Sequence, residues 1–407
     1  MIRLILFLCM VSISLSSIAQ KSKIKVFPQD NQEFSSAKII GGLASHGVKI
    51  LEVETNFDST SHAMGFFIDP VRYMGMEQGL ILSTGVVDQV TQANSTSNYT
   101  SLDLNTSEEN KILKVYLDSQ ATEKQKIDLT DSILVATLLA QQDHGDADLS
   151  EAINGMKTYD ARVIKIKFIP TADTLYYRYV FASEEYEEYV CSQFNDIFAL
   201  YLYEEGQPKK NIALIPGQQL PVSINTINNG NPKNEHCPKS NPYLFQLNNG
   251  NQNLLYDGFT KVLDVRQKVI PGKVYWIKIA IADVSDKVLD SAVLLENKSI
   301  FSYFGSYELR FDNNSAFPKE RAKLEKVVAQ LQEHPKSKVQ LIGHTDLKGR
   351  ADYNFRLSIK RVRVVKEFLM DSGINESRIL ESYKGETMPR YKEIAKNRRV
   401  EVFVLGE

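Results

Sequence analysis

The sequence predicts a multidomain protein in which an all-β sandwich or jelly roll is followed by a small α+β domain. The length of 407 residues favours two or three domains over one. Strand-like segments dominate up to about residue 300, and helical periodicity appears only after it. The charges divide at the same place, because residues 302–407 hold 21 Lys and Arg against 15 Asp and Glu, and the rest holds 27 against 35. We therefore divide the chain into segments 1–19, 20–300 and 301–407.

The overall composition excludes several classes of protein. With 43% hydrophobic and 24% charged residues, the chain has an ordinary globular composition. The net charge of −2 argues against a nucleic-acid-binding protein. Three cysteines and six histidines are too few for a disulfide scaffold or a zinc array.

The N-terminal segment predicts export from the cytoplasm. Arg3 gives a positive start, residues 4–16 are apolar, and Ser17 and Ala19 form a small-x-small cleavage site. This pattern is typical of a secretory signal peptide that is removed after Ala19. The apolar run is shorter than the about 20 residues that span a bilayer, and Cys9 lacks the preceding small residue of a lipoprotein signal. The mature protein is predicted to be exported, and either soluble or peripheral.

Strand signals fill the segment from 20 to 300. Residues 163–168, 175–181, 197–203 and 274–281 are rich in β-branched and aromatic side chains, and Gly, Asn and Pro clusters separate them. Such a series of strands predicts an antiparallel sandwich. The stretch 91–110, dense in Ser, Thr and Asn, predicts a surface loop.

The last 100 residues predict a β-α-β-α-β order. Residues 309–311, 339–343 and 399–404 are predicted strands. A first helix is expected to start at Pro318, because proline is tolerated at the first helical position. A second helix is expected over 351–371, with Gly373 just beyond its end. This order predicts one small α+β domain.

One side chain of the second helix does not fit the apolar stripe in which it lies. Arg361 falls among apolar residues, and Asn354 lies two turns earlier on nearly the same line. A buried arginine requires an anionic partner, because an unpaired buried charge is very costly. Asp346, in the loop after the strand 339–343, is the candidate. Two interpretations remain: an internal salt bridge, or a prearranged cation and anion that receive a zwitterionic ligand.

The C-terminal residues resemble a known family. The pattern comprises Gly343, His344, Thr345, Asp346, Gly349, Asn354, Leu357, Ser358, Arg361, Gly385, Glu386, Asn397, Arg398, Arg399, Val400 and Glu401. In order and spacing it is similar to the OmpA-like peptidoglycan-binding domain.

That resemblance implies a mixed sheet backed by helices and non-covalent binding of the diaminopimelate of peptidoglycan. It implies that Asp346 meets the ammonium group of the ligand and Arg361 its carboxylate. Thr345 and Asn354 belong to the same candidate site, with Asn354 bonded either to ligand or to loop backbone. Arg398 and Arg399 are interpreted as residues that hold the fold or form the rim. We expect alanine at Asp346 or Arg361 to abolish wall binding while the fold survives.

The β region resembles the choice-of-anchor L domain between about residues 37 and 296. The resemblance rests on residues 79–85, 181–186, 194–198 and 281–286. It implies a domain of secreted and surface proteins of bacteria, but it supplies no ligand. It also implies that the C-terminal domain serves as the anchor of this chain.

These resemblances, with the basic C-terminal segment, predict a non-catalytic envelope protein. It is expected to bind peptidoglycan, to be associated with the periplasmic side of the outer membrane, and to display the β domain. The sequence contains no Gly-x-Ser-x-Gly, His-Glu-x-x-His or phosphate-loop motif. The alternative is a glycan-binding or glycan-cleaving protein with its site in the β domain, where Glu184 and Glu185 are the residues to test.

Acidic residues near the ends of predicted strands suggest a calcium site. The candidates are Glu184, Glu185, Asp196, Asp283 and Asp286. Calcium takes six to eight oxygen ligands, and carboxylates of loops often provide them. The competing interpretation is solvated turn chemistry, because Asp and Asn favour turns. The residues alone leave both open.

Two cysteines remain after removal of the signal segment. An even number in an exported chain favours a disulfide between Cys191 and Cys237. The bridge would close a loop of roughly 45 residues and stabilise the fold by about 3–4 kcal/mol. The alternative is a pair of free thiols.

Overall fold

The computed structural model describes residues 23–28, 36–57, 61–91, 144–248, 254–285 and 289–407. The predicted signal segment, nearly all of the predicted loop 91–110, and Asp286 of the candidate calcium site lie outside these residues.

The predicted strands of the N-terminal region are present. The elements, in order, are β1 (Lys25–Pro28), α1 (Ser36–Leu43), β2 (Val48–Thr55), β3 (Met64–Ile68), β4 (Gln78–Ser83), α2 (Ala147–Ala152), β5 (Thr158–Pro170), β6 (Thr174–Ser183), β7 (Ile197–Tyr203), β8 (Lys210–Asn211), β9 (Val222–Ser223), β10 (Phe245–Leu247), β11 (Gly258–Thr260), β12 (Leu263–Lys268), β13 (Tyr275–Val284) and β14 (Ser291–Glu296). The four segments that sequence analysis singled out are β5, β6, β7 and β13. Their β-branched and aromatic side chains suit a pleated, buried surface.

The C-terminal region combines strands and helices. Its elements are β15 (Phe301–Arg310), α3 (Arg321–Glu333), β16 (Val339–His344), α4 (Ala351–Asp371), β17 (Ile379–Gly385) and β18 (Arg399–Leu405). Short 3-10 turns at Val87–Gln89, Pro242–Leu244, Glu376–Arg378 and Ile394–Asn397 complete the described elements. No helix in this described part of the chain is long and apolar enough to cross a membrane.

Two sheets pack face to face, as a sandwich requires. The larger has 12 strands, with β1-β3-β4-β14-β6-β15-β18-β16-β17 as its main path; β12 and β11 also pair with β6, and β10 pairs with β11. The smaller has six, ordered β2-β5-β13-β7-β8 with β9 beside β7. Buried side chains of both sheets form one core. The rings of Tyr179 on β6 and Phe198 on β7, for example, lie 4.8 Å apart between centroids. Each large apolar side chain buried there contributes roughly 1.5–3 kcal/mol.

A separate core lies beneath the two C-terminal helices. The apolar faces of α3 and α4 cover one side of β15, β16 and β18, where Val327, Val365, Leu341 and Val402 meet. α4 ends where sequence analysis placed its end, and Gly373 adopts a positive φ of 88° just beyond it. Glycine takes this conformation without the steric cost of a Cβ.

Strand β15 joins the two regions into one continuous sheet. Its first three residues pair with β6, with Phe301 opposite Tyr176, and its later residues pair with β18 as far as Arg310 opposite Arg399. The rings of Tyr176 and Phe301 stack 4.6 Å apart. The proposed boundary between residues 300 and 301 therefore falls at the start of a strand that both regions share.

The C-terminal region differs from its prediction in three places. The strand predicted at 309–311 is the end of β15, which begins at Phe301. β17, which pairs in parallel with β16, was missed. α3 starts at Arg321, three residues after Pro318. The chain at Pro318 stays extended because it forms a bridge with Phe311, and Lys319 donates its N–H to the Arg310 carbonyl at 2.9 Å.

A disulfide links two loops of the N-terminal region. Cys191 and Cys237 are joined with their Cα atoms 5.8 Å apart and a sequence separation of 46. This is the pair named from the cysteine count. Because the closed loop is long, the bridge restricts the unfolded chain strongly.

Candidate functional site

A pocket of about 360 Å³ opens at the end of β16. β16 ends just before Thr345 and Asp346, and α4 supplies Asn354 from its first turn and Arg361 from its middle. All four predicted site residues line this pocket, together with Asn313, Asn314, Lys348, Gly349, Tyr353, Leu357 and Arg398. Folding thus brings the four together, and their role in binding stays a prediction.

Three main-chain carbonyls hold the guanidinium of Arg361 in place. Nε donates to the carbonyl of Ser315 at 2.9 Å, Nη1 to that of His344 at 2.8 Å, and Nη2 to that of Asp312 at 3.3 Å. The residue is 0% exposed. Burial lowers the pKa of Arg361 to about 10, and the charge of Asp346 opposes this shift. Arg361 is therefore a fixed cation at neutral pH, with two of its five N–H groups outside these three bonds.

Asp346 does not form an ion pair with Arg361. Its Oδ2 accepts a hydrogen bond from Nη1 of Arg398 at 2.9 Å, and its Oδ1 accepts one from the backbone N–H of Lys348 at 3.1 Å. The internal salt bridge considered from sequence thus has a different cation. The carboxylate and the Arg361 guanidinium both line the pocket as separate, individually held charges.

Asn354 fixes the loop that carries Asp346. Its Nδ2 lies 3.3 Å from the carbonyl of Asp346 and 3.0 Å from that of Lys348, and it also contacts the Glu386 carboxylate. Of the two alternatives for Asn354, the structure shows bonds to loop backbone. Asn354 thereby holds the loop in the shape that points Asp346 toward the pocket.

Thr345 contributes a hydroxyl to the pocket wall. The residue is 3% exposed, and its backbone N–H donates to the carbonyl of Gly385 at 2.7 Å. Its Oγ1 has no hydrogen-bond partner among the described residues. A buried hydroxyl without a partner is unfavourable, so a ligand that bonds to it would gain affinity.

Sequence analysis missed the role of Arg398, which it interpreted as a fold-holding or rim residue. Arg398 lines the pocket and orients Asp346, whereas Arg399 is 0% exposed and its Nε donates to Glu401 at 2.8 Å. The contact between Arg398 and Asp346 follows from the antiparallel pairing of β16 and β18, which puts Gly343 opposite Val400. Residues just after β16 then face those just before β18, and only the strand register reveals this.

The pocket as a whole combines one anion with an excess of cations. Lys348, Arg361 and Arg398 stand against Asp346 in its lining. Such a site can bind a small group that carries both a carboxylate and an ammonium, because each charge finds an opposite one held in advance.

Glu184, Glu185, Asp196 and Asp283, the described members of the proposed calcium site, are all buried. Asp196 accepts from the backbone N–H of Val284 at 3.0 Å and from the Ser291 hydroxyl at 2.7 Å, and Glu184 accepts from the N–H of Asp290 at 3.0 Å. No group of His, Cys, Asp or Glu residues suited to a metal ion occurs in the described ranges, which exclude Asp286. The calcium prediction, made for Glu184, Glu185, Asp196, Asp283 and Asp286, thus receives no support from the described residues.

Burial also shifts the pKa values of carboxyls in this acidic cluster. Burial, together with the nearby Asp290 carboxylate, raises the pKa of Glu184 to about 9. Burial, with repulsion from Asp196 and Asp160, also raises the pKa of Asp283 well above its usual range. Each shift reflects the cost of burying several carboxylates side by side.

The glycan-cleaving alternative is not favoured by the position of its residues. Glu184 is 6% exposed and Glu185 is 2% exposed. Neither lines any of the four main cavities found among the described residues. A pair of catalytic carboxylates must flank a sugar, and these two do not reach such a space.

Two family models match the chain. Residues 129–301 match the choice-of-anchor L domain, and residues 305–402 match the OmpA family. The first match starts later than the resemblance noted from sequence, so residues 79–85 lie outside it.

Individual relatives match the C-terminal part. The chain is 33% identical to "Outer membrane protein A" of Bordetella avium over 101 residues, 24% of this chain and 52% of that protein. It is 31% identical to "Probable lipoprotein YiaD" of Escherichia coli over 141 residues, 31% of this chain and 62% of that one. The chain thus spans less than two thirds of either relative. A solved structure, the peptidoglycan-associated lipoprotein from Burkholderia pseudomallei, is 26% identical, with a TM-score of 0.22 and coverage of 24% of this chain and 87% of that one.

Proposed function

Because residues 129–301 form a choice-of-anchor L domain and residues 305–402 an OmpA family domain, we propose that this protein is a non-catalytic component of the cell envelope that binds peptidoglycan non-covalently. The observation that carries the proposal is the pair of separately held charges in the C-terminal pocket, Asp346 and Arg361.

The ligand that we propose is the diaminopimelate of the stem peptide. Its free end carries an ammonium and a carboxylate on one carbon. The carboxylate would accept hydrogen bonds from the remaining N–H groups of Arg361, and the ammonium would donate to Asp346. Each charge-assisted hydrogen bond is worth roughly 1.5–3 kcal/mol. Thr345 would bond a ligand oxygen or nitrogen, while Asn354 and Arg398 would act by orienting the loop and the carboxylate.

The proposed location is the periplasmic side of the outer membrane. The relatives named above are an outer membrane protein and a probable lipoprotein. In this proposal segment 1–19 directs export and is removed, segment 20–300 is displayed, and segment 301–407 is the anchor. Cell fractionation with and without digestion of the wall tests it, since a wall-bound protein is released by the digestion.

The binding test is sedimentation of the full mature chain with purified peptidoglycan. Asp346→Asn keeps the size of the side chain and removes its charge, so wild type should pellet and this variant should not. Arg363→Ala, an exposed change on the same helix, is the control and should pellet like wild type. Peptidoglycan with lysine in place of diaminopimelate lacks the second carboxylate and should not bind. If Asp346→Asn or the lysine form is retained fully, the proposed site is wrong.

A further inference from the structure

Buried ion pairs connect the choice-of-anchor L domain to Lys384, a residue close to the ligand pocket. Lys384, near the end of β17, is 4% exposed, and its Nζ contacts Oε1 of Glu296. Glu296 ends β14, outside the OmpA family match, and its Oε2 lies 2.7 Å from Nε of Arg178 on β6. Three buried charges of alternating sign therefore cross the shared sheet from one domain to the other.

The residues that directly follow Lys384 bond to two residues of the pocket wall, Thr345 and Asn354. The carbonyl of Gly385 accepts the N–H of Thr345 at 2.7 Å, and the Glu386 carboxylate accepts from Asn354. Residues 384–387 form a turn. The carbonyl of Lys384 accepts hydrogen bonds from the backbone N–H of Thr387 at 3.0 Å and from the Thr387 hydroxyl at 2.7 Å. Displacement of Lys384 would therefore move the partners of Thr345 and Asn354.

Residues of the N-terminal region make two further contacts close to this turn, one with Phe355 on α4 and one with Thr387. The guanidinium carbon of Arg72 lies 4.8 Å from the centroid of the Phe355 ring, next to Asn354 on α4. Gly75 lies so close to Thr387 that a Cβ on the glycine would come within 2.9 Å of the Thr387 Cβ. The turn 384–387 is thus held from the N-terminal side by an ion pair and by close packing.

We propose that Glu296, acting through Lys384, is a positioning residue for the ligand pocket of the OmpA family domain. The inference rests on the proposed function, because it assigns to the choice-of-anchor L domain the task of holding that pocket in its binding shape. A purely structural ion pair is the competing explanation. The two explanations differ in whether removal of the pair weakens binding while the chain is still fully folded.

Lys384→Met is the variant that separates the two explanations. Methionine fills a similar volume and leaves the pair between Glu296 and Arg178 intact. Burial lowers the pKa of Lys384 to about 8. The replacement takes one of two cations from Glu296, so the melting temperature is expected to fall, but the remaining pair with Arg178 limits the fall. Well below the melting temperature, binding of a diaminopimelate-containing stem peptide by the full mature chain should weaken by about tenfold, within the usual range of coupling between distant groups.

The control is Arg390→Met. Arg390 also forms an ion pair across the shared sheet, with Asp264 at 3.1 Å, but, unlike Lys384, it does not precede residues that bond to Thr345 and Asn354. This variant should bind the peptide like wild type. Lys384→Arg, which can keep the contact with Glu296, should retain most of the affinity. If Lys384→Met binds as tightly as wild type, or if Arg390→Met loses as much affinity, the positioning role is overturned.

A second measurement does not depend on the ligand. The N–H of Thr345 should exchange its hydrogen faster in Lys384→Met than in wild type, because its acceptor, Gly385, is no longer held. If wild type binds no stem peptide, the proposed function fails. The hydrogen-exchange rate at Thr345 still tests whether Lys384 holds the turn in place. Unchanged exchange at Thr345 overturns the inference whatever the peptide does.

Discussion

The carboxylate of Asp346 is held by Arg398 and not by Arg361. The distance from Nη1 of Arg398 to Oδ2 of Asp346 is 2.9 Å, whereas Arg361 donates to three main-chain carbonyls. The pocket therefore contains a carboxylate with its own cation and a second cation with its own acceptors. A zwitterion can then bind to both without first breaking a direct bond between them.

Loss of Arg398 should release Asp346 from its orientation. We expect Arg398→Gln to weaken stem-peptide binding and to lower the free energy of unfolding by about 1–2 kcal/mol, because the pair is mostly shielded from solvent. Calorimetric titration and urea unfolding of the same sample measure both. Tighter binding would show that Arg398 competes with the ligand ammonium, contrary to this expectation.

Replacement of Arg361 should damage the fold as well as the site. The expectation from sequence alone was that the fold survives, but Arg361 is 0% exposed and bonded to the carbonyls of Ser315, His344 and Asp312. Lysine lacks the planar fork that reaches all three. We expect Arg361→Lys to lose wall binding and about 2–4 kcal/mol of unfolding free energy. A variant of wild-type stability in urea would contradict this.

Thr345→Val should separate binding from stability. The Thr345 hydroxyl has no hydrogen-bond partner among the described residues, so the valine methyl should leave the melting temperature unchanged or raise it. Affinity for the stem peptide should fall about fivefold, which corresponds to one neutral hydrogen bond of about 1 kcal/mol. Equal affinities in calorimetry would exclude Thr345 from ligand contact.

The stability of the β domain should fall as pH rises. The pKa of Glu184 is raised from 4.5 to about 9 in the folded state. The folded form therefore keeps a proton that the unfolded form releases, and stability declines between those two pH values. Glu184→Gln, which is always neutral, should reduce the decline in urea unfolding at pH 5, 7 and 9. The exposed Glu188→Gln should leave it unchanged, and an equal decline in both variants would argue against a protonated Glu184.

Removal of the disulfide should lower stability without changing wall binding. The double variant Cys191→Ser with Cys237→Ala should lose about 3–4 kcal/mol of unfolding free energy. Reduced wild type should unfold at the same urea concentration as this variant. The pocket lies in the other domain, so both proteins should still pellet with peptidoglycan at low temperature. Insensitivity of wild type to a reductant would contradict a stabilising bridge.

Much of the architecture follows from local sequence patterns. The runs of β-branched and aromatic residues that form β5, β6, β7 and β13, and the helix α4 with Gly373 after it, were predicted from periodicity alone. Arg361, Asn354 and Asp346 could be named because a charged residue, Arg361, interrupts an apolar stripe, whereas Thr345 came from the resemblance to the OmpA-like domain. Such patterns predict secondary structure because the apolar side chains that repeat along the chain are the ones that become buried on one face of the helix or strand.

Tertiary structure decided the features that depend on pairing between distant segments. β17 was missed, and α3 starts at Arg321 because Pro318 bridges to Phe311. The cation beside Asp346 follows from the register of β16 against β18, which no local pattern encodes.

The sequence by itself determined the two regions and two charged residues of the pocket, Asp346 and Arg361, because periodicity and the cost of a buried charge are local properties of the chain. Only the folded chain decided that β15 carries one sheet through both regions and that Lys384 meets Glu296 across it. The physical reason is that a buried lysine needs an anion beside it. Which anion lies there depends on how the strands pair, and strand pairing is a property of the whole sheet.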